Sequence, residues 1–122
     1  MTVEEKQLLL KDLCARLPYN TKVFFSIIEE DEPVELSLSI IRCLESIPLG
    51  QNDIVIKPYL RSMESITEEE KKELIKNFWG SHTAKDTFEE LSWYLSKHLD
   101  VNGLIPKGLA IAVTEENNPY EN

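Results

Sequence analysis

The chain has 122 residues and a net charge of −9, from 13 basic and 22 acidic side chains. That length supports one domain with one core, and 42% apolar with 8% aromatic composition argues against general disorder. A surface this acidic repels phosphate backbones and anionic lipid. Sequence-independent binding of nucleic acid is therefore disfavoured, whereas a basic protein partner suits the charge; net charge of this sign also maintains solubility.

No apolar run approaches the roughly 20 residues that span a bilayer. The start, MTVEEKQLLLKDL, is acidic, and its apolar run Leu8–Leu10 is too short for a signal's hydrophobic region. The expected location is cytoplasmic, with no membrane association. Cys14 and Cys43 form no Cys-x-x-Cys pair and are flanked by apolar residues. Both are expected as buried free thiols.

Thr2-Val3-Glu4-Glu5 is a capping box, with a carboxylate three residues after the hydroxyl. Leu10, Leu13, Cys14 and Leu17 recur at helical spacing, with Val3 on the same side. Lys6, Lys11 and Asp12 fall mostly elsewhere. Pro18 ends the helix, giving an expected span of 3–16. After the turn Pro18-Tyr19-Asn20, residues 22–29 read as a strand with apolar residues on both faces. Glu30 to Pro33 is a charged hairpin loop. Val34, Leu36, Leu38 and Ile40 alternate with polar residues, the clearest strand pattern in the chain. The parity flips at Ile40-Ile41. A β-bulge explains this, and a short helix over 40–46 is the alternative.

Pro48 to Asn52 is the next turn. Residues 53–57 read as a third strand, which stops at Pro58 or lies at an edge because proline donates nothing to a ladder. Thr67-Glu68-Glu69-Glu70 is a second capping box opening a helix to about Trp79, with Leu74, Ile75, Phe78 and Trp79 as its buried edge and Gly80 as its breaker. A further helix spans 86–99, with the stripe Phe88, Leu91, Leu95 and Leu99. Residues 109–113 read as a last strand. The expected architecture is α+β: an N-terminal helix, a three- or four-stranded mainly antiparallel sheet, and two helices from the C-terminal half packed on it. Residues 1–114 form the single globular domain and 115–122 a frayed, polar, acidic tail.

Three segments resemble a set of short proteins of anaerobic gut bacteria, often encoded in their phages and mobile elements. They are LLLKDLCARLPY (8–19), IKPYLRSMESITEEE (56–70; the related pattern is KPYLRPMSSMTEEE) and Trp93 to Ala110, similar to W-x(4)-H-x-D-x-x-G-L-I-x-x-G-L-A. Ser62 stands where that pattern has proline, and Val101-Asn102 where it has Tyr-Arg. The resemblance implies an accessory protein of a mobile genome. It brings no activity, cofactor or catalytic residue.

Candidate chemistry is sparse. His98 and Asp100 sit two residues apart at a helix end, and such a pair could serve as general acid and base. The plainer reading is that His98 interacts with the last carbonyls of its helix. His82 could join them as a metal site, although no ligand-spacing motif supports it. Cys14 as a nucleophile needs a nearby base, and its apolar setting favours burial. The glycines make no phosphate loop. At ~100° per residue Trp93 falls about 140° from Phe88, on the side of Glu89, Glu90 and Lys97, with Tyr94 at the border of the stripe. It marks either a contact surface or the seat of a covering segment. Lys57, Tyr59 and Arg61 form a small basic and aromatic cluster, expected to pair with the acidic helix start Glu68–Glu70.

The sequence therefore favours a non-enzymatic protein-binding factor, with Trp93, Tyr94, Lys97, Tyr59 and Arg61 as its contact surface and no cofactor. A small enzyme or metal protein using His82, His98 and Asp100, and a nucleic-acid binder using Lys57–Arg61, are the alternatives.

Overall fold

Thr2 and Glu5 bond reciprocally to start helix α1, Val3–Arg16: the Glu5 amide donates to Thr2 Oγ1 and the Thr2 amide to Glu5 Oε1. The computed structural model describes residues 1–27, 32–48, 54–78 and 84–120. The expected features at Glu30–Asp31, Leu49–Asn52, Trp79, Gly80 and His82 lie outside them. A 3-10 turn over Leu17–Tyr19 absorbs Pro18, and Asn20 at φ 56° reverses the chain. Asparagine tolerates this left-handed conformation better than most residues.

The helix has its expected bounds, but its buried face is Leu9, Asp12, Leu13 and Arg16. Cys14 is exposed and so is Val3, correcting the expected stripe. The face turns because an ion pair, not a fourth apolar residue, fills the inner side of the last turn.

Strand β1, Lys22–Phe25, is shorter than expected; Val23 is buried while Ile27 is exposed. The alternating stretch after it gives only a two-residue strand, β2, Val34–Glu35. Helix α2, Leu38–Ser46, follows. The short-helix alternative is thus the correct one, and the long strand is not formed. Ser37 decides it locally, its hydroxyl accepting from the Ile40 amide as an N-cap. Ile40, Ile41 and Leu44 then share a buried helical face, and Leu38 is left exposed.

Strand β3, Ile56–Leu60, runs through Pro58. It is an interior strand of the four-stranded sheet, whose order is β2-β1-β3-β4. Strands β1 and β2 pair with antiparallel neighbours, and β4, Ile111–Ala112, runs parallel to β3. The expected arrest at Pro58 does not occur, for a reason of parity. The Ser26 amide donates to the Val55 carbonyl. Hydrogen-bonded pairs of an antiparallel ladder alternate, so Val23↔Pro58 is a non-bonded pair. The Pro58 nitrogen therefore faces away from β1, one residue before the β4 register begins at Tyr59↔Ile111.

A parallel pair needs a long crossover. Here it contains α3, Glu68–Phe78, and α4, Ala84–Ser96. The second capping box forms as expected, with Thr67 and Glu70 exchanging backbone-to-side-chain bonds. One apolar core collects Leu9 and Leu13, the α2 face, Val23, Ile56, Leu60, Leu104 and Leu109. No helix among the described residues is long and apolar enough to cross a membrane.

The segment expected to fray is anchored through Tyr120. Its hydroxyl accepts from the Lys22 amide at 2.9 Å and donates to the Tyr59 carbonyl at 2.7 Å. By the parity above, Lys22 and Tyr59 would be the next hydrogen-bonded pair of the β1–β3 ladder. The phenol sits between them and completes the ladder indirectly.

Candidate functional site

The end of α4 is a left-handed cap made by a histidine. His98 has φ 61°. The Leu99 amide donates to the Tyr94 carbonyl and the His98 amide to the Leu95 carbonyl. This is the Schellman arrangement, with His98 where glycine is commonest. The chain beyond it docks beside β3. The Arg61 amide donates to the His98 carbonyl and the Asp100 amide to the Arg61 carbonyl, each at 2.8 Å. These bonds gather Arg61, Lys97, His98 and Tyr120 around a hollow of about 410 Å³ that Thr67, Glu70, Ser96 and Asn118 complete.

Two of the charges in this hollow, those of Arg61 and Glu70, neutralise each other. Arg61 grips Glu70 with two nitrogens, at 2.6 and 2.9 Å, and donates to the Ser65 carbonyl at 3.1 Å. The Arg61 guanidinium, with the Thr67 amide, holds the Glu70 carboxyl down at about 2. The expected pairing with the acidic helix start is therefore observed for Arg61, while Lys57 joins none of the ion pairs among the described residues. The pairing leaves Arg61 poorly placed to neutralise a phosphate.

His98 and Asp100 are engaged separately. The imidazole stacks on the Tyr120 ring, with centroids 3.8 Å apart and planes 8° from parallel. Its Nδ1 lies 3.5 Å from Thr21 Oγ1. Burial first, then the guanidiniums of Arg16 and Arg61, push His98 down to about 4. It is therefore neutral near pH 7. The Asp100 carboxylate accepts from the Leu104 and Ile105 amides at 2.8 and 2.9 Å, fixing the turn that follows. Among the described residues no three His, Cys, Asp or Glu side chains cluster as metal ligands.

Trp93 lies at the seam of α3 and α4. Its Nε1 donates to Glu73 Oε1 at 3.0 Å, and Lys97 Nζ lies 5.5 Å from its ring centroid. Tyr94 meets the Trp93 ring edge-on and donates to Glu90. Burial, then Glu90, raises the Tyr94 hydroxyl above its ordinary value. Helix α3 thus supplies the hydrogen-bond partner of the Trp93 ring nitrogen. Of the five residues expected at a contact surface, Trp93, Tyr94, Lys97 and Arg61 share this side of the molecule. Tyr59 is buried at 5% exposure.

Two features escaped the sequence reading. The first is the apolar outer part of the α3–α4 pair. Leu95 and Leu99 of the α4 stripe are buried, but Phe88 is 70% exposed and Leu91 45%. Ile75 on α3, expected in the buried edge, is 56% exposed. Their spacing looked like a core face, and the signal would have been that α4 outruns the core it packs on. The second is the pair Asp12–Arg16, both at 0% exposure. Its signal was the i,i+4 spacing of opposite charges beside Leu9 and Leu13.

Comparison with known proteins yields no match to a family model, a curated protein or a solved structure.

Proposed function

We propose that this protein acts by binding another protein through the outer part of the α3–α4 pair. The observation that carries the reading is the exposure of Ile75 on α3 and of Phe88 and Leu91 on α4. Phe88 and Leu91 are three residues apart and so share one helix face, and the Glu73–Trp93 bond ties α3 to α4. Exposed apolar side chains grouped in this way mark interaction sites. Glu69, Glu73 and Glu90 on the same helices, with the overall charge of −9, favour a partner whose apolar face is rimmed by lysine or arginine. An accessory role in a phage or mobile element, acting on a host factor, suits both this surface and the resemblance of the three segments.

The test is purification of tagged protein from its native host, as wild type and as Phe88→Ser/Leu91→Ser. Leu38→Ser, also at an exposed apolar side chain but on α2, is the control. The expected result is one stoichiometric partner that survives the control and binds the double variant at least ~30-fold more weakly, as loss of a central hot spot does. A partner held equally by both variants, or a folded wild-type protein that holds none, overturns the reading.

A further inference from the structure

A second surface runs against the average charge of the molecule. Between α1, α2, the start of β3 and the 104–109 turn lies a cleft of about 340 Å³. That is at the small end of ligand pockets, which run roughly 300–1,000 Å³. Its wall is apolar, formed by Leu9, Leu44, Ile47, Ile54, Ile56 and Leu109. Three lysines, Lys6, Lys57 and Lys107, reach the same cleft.

The only carboxylate among the described lining residues is Glu5, whose Oε1 is held by the Thr2 amide in the α1 capping box. Lys6 is fixed in place, donating to the Glu45 and Ile47 carbonyls at the end of α2. An ammonium carries three donors, so its charge stays available to the cleft. Lys57 and Lys107 join none of the ion pairs among the described residues. Three cations and one tied carboxylate thus border an apolar cavity, in a chain with 22 acidic and 13 basic side chains.

We propose that this cleft binds a small aliphatic carboxylate. The hydrocarbon lies on the Leu9, Leu44 and Ile56 wall, and the carboxylate meets Lys57 and Lys107. Apolar burial supplies most of the affinity and the lysines select an anionic head, the usual division of labour in a ligand pocket. The proposal is independent of the α3–α4 contact surface.

The probe is octanoate, titrated calorimetrically into the full chain. Octan-1-ol and octylammonium vary the head group, and acetate removes the tail. The expected result is saturable one-to-one binding of octanoate, at least ~10-fold tighter than the alcohol, with no measurable binding of octylammonium or acetate. Lys57→Glu/Lys107→Glu, at a half-buried and an exposed position, should weaken octanoate at least ~10-fold while leaving the circular dichroism spectrum unchanged. Amide shifts mapped by NMR should centre on Leu9, Ile54 and Leu109. Equal affinity for acid and alcohol, indifference to the double variant, shifts centred elsewhere, or no binding of octanoate would each overturn the proposal. If the double variant fails to fold, Lys57→Gln alone, read against the same four probes, decides the head-group preference.

Discussion

Asp12→Ala should destabilise the protein by about 3–5 kcal/mol, the largest loss expected from any single change on α1. Arg16 Nε donates to Asp12 Oδ2 at 2.7 Å and Nη2 to Oδ1 at 3.1 Å, and both side chains are fully buried. Arg16 Nη2 also donates to the Leu99 carbonyl, and the Asn102 amide to Asp12 Oδ1. The pair therefore ties α1 to the chain that follows α4. Arg16 Nη1 has no hydrogen-bond partner among the described residues. Removing the carboxylate leaves a buried cation with one carbonyl for company. The paired variant Asp12→Leu/Arg16→Met should recover most of the loss, because apolar replacement of a whole buried pair is often neutral or favourable. Urea denaturation of the wild type and these two variants measures both claims. An Asp12→Ala cost below about 1 kcal/mol, the range of a solvated pair, would mean that water reaches the site.

Tyr120→Phe should cost about 2–4 kcal/mol, though it deletes a single oxygen. The phenyl ring keeps its stack on His98, but the Lys22 amide and the Tyr59 carbonyl both lose their bond to the phenol. Each such unsatisfied group costs about 1–3 kcal/mol when water cannot replace the bond. Burial raises the Tyr120 hydroxyl to about 12, against the opposing effects of the Lys22 amide and Arg16. The protonated phenol is therefore favoured by folding. Its contribution is complete below about pH 10 and is lost as the pH rises through about 12. The stacked His98 sets the acid side. Its imidazole is held near 4 in the fold against 6.5 when free, so the unfolded chain takes up the proton first. Stability is intact above pH 6.5 and falls toward pH 4, by about 1–2 kcal/mol given the ring's partial solvent access. Thermal unfolding from pH 3 to 12 should show both limbs. Tyr120→Phe should abolish the alkaline limb, and His98→Gln should flatten the pH 6.5–4 limb. An unchanged alkaline limb in Tyr120→Phe would place its origin in another group.

What could be read ahead of the structure were the features written in adjacent residues. Thr2 with Glu5, and Thr67 with Glu70, announce their helices because each box closes within four residues. The Arg61–Glu70 pair was also within reach, since the helix start lies only nine residues beyond the arginine. What could not be read depended on distant partners. Val34 to Ile40 carries a strand's alternation, yet the same stretch holds a Ser37 cap and the helical face Ile40, Ile41 and Leu44; tertiary packing chose between them. Cys14 and Asp12 exchanged places, exposed and buried, because Asp12 finds its partners 4 and 90 residues away. Tyr120 is a lone aromatic in a polar tail, and its partners Lys22 and Tyr59 are 98 and 61 residues away. In the candidate site, Trp93 meets Tyr94 edge-on and Lys97 lies over its ring, contacts that follow from their closeness in sequence, whereas Tyr59 is buried. The exposure of Phe88 was not legible, because helical spacing shows which residues share a face but not where the supporting core stops.

The place of Tyr120 in the sheet also governs when the fold can be finished during synthesis. A ribosome delivers α1 and β1 first, while the groups that complete them arrive last: the Leu99 carbonyl for Arg16, β4 for the open side of β3, and the phenol for the Lys22 amide. Contacts this remote in sequence close slowly, since the loop entropy is lost before the contact forms. Until residues 111–120 have emerged, the nascent chain carries an uncovered edge of β3 and an unpaired Lys22 amide. Completion of the sheet thus waits on Tyr120, and truncation before that residue would leave the first strand still open.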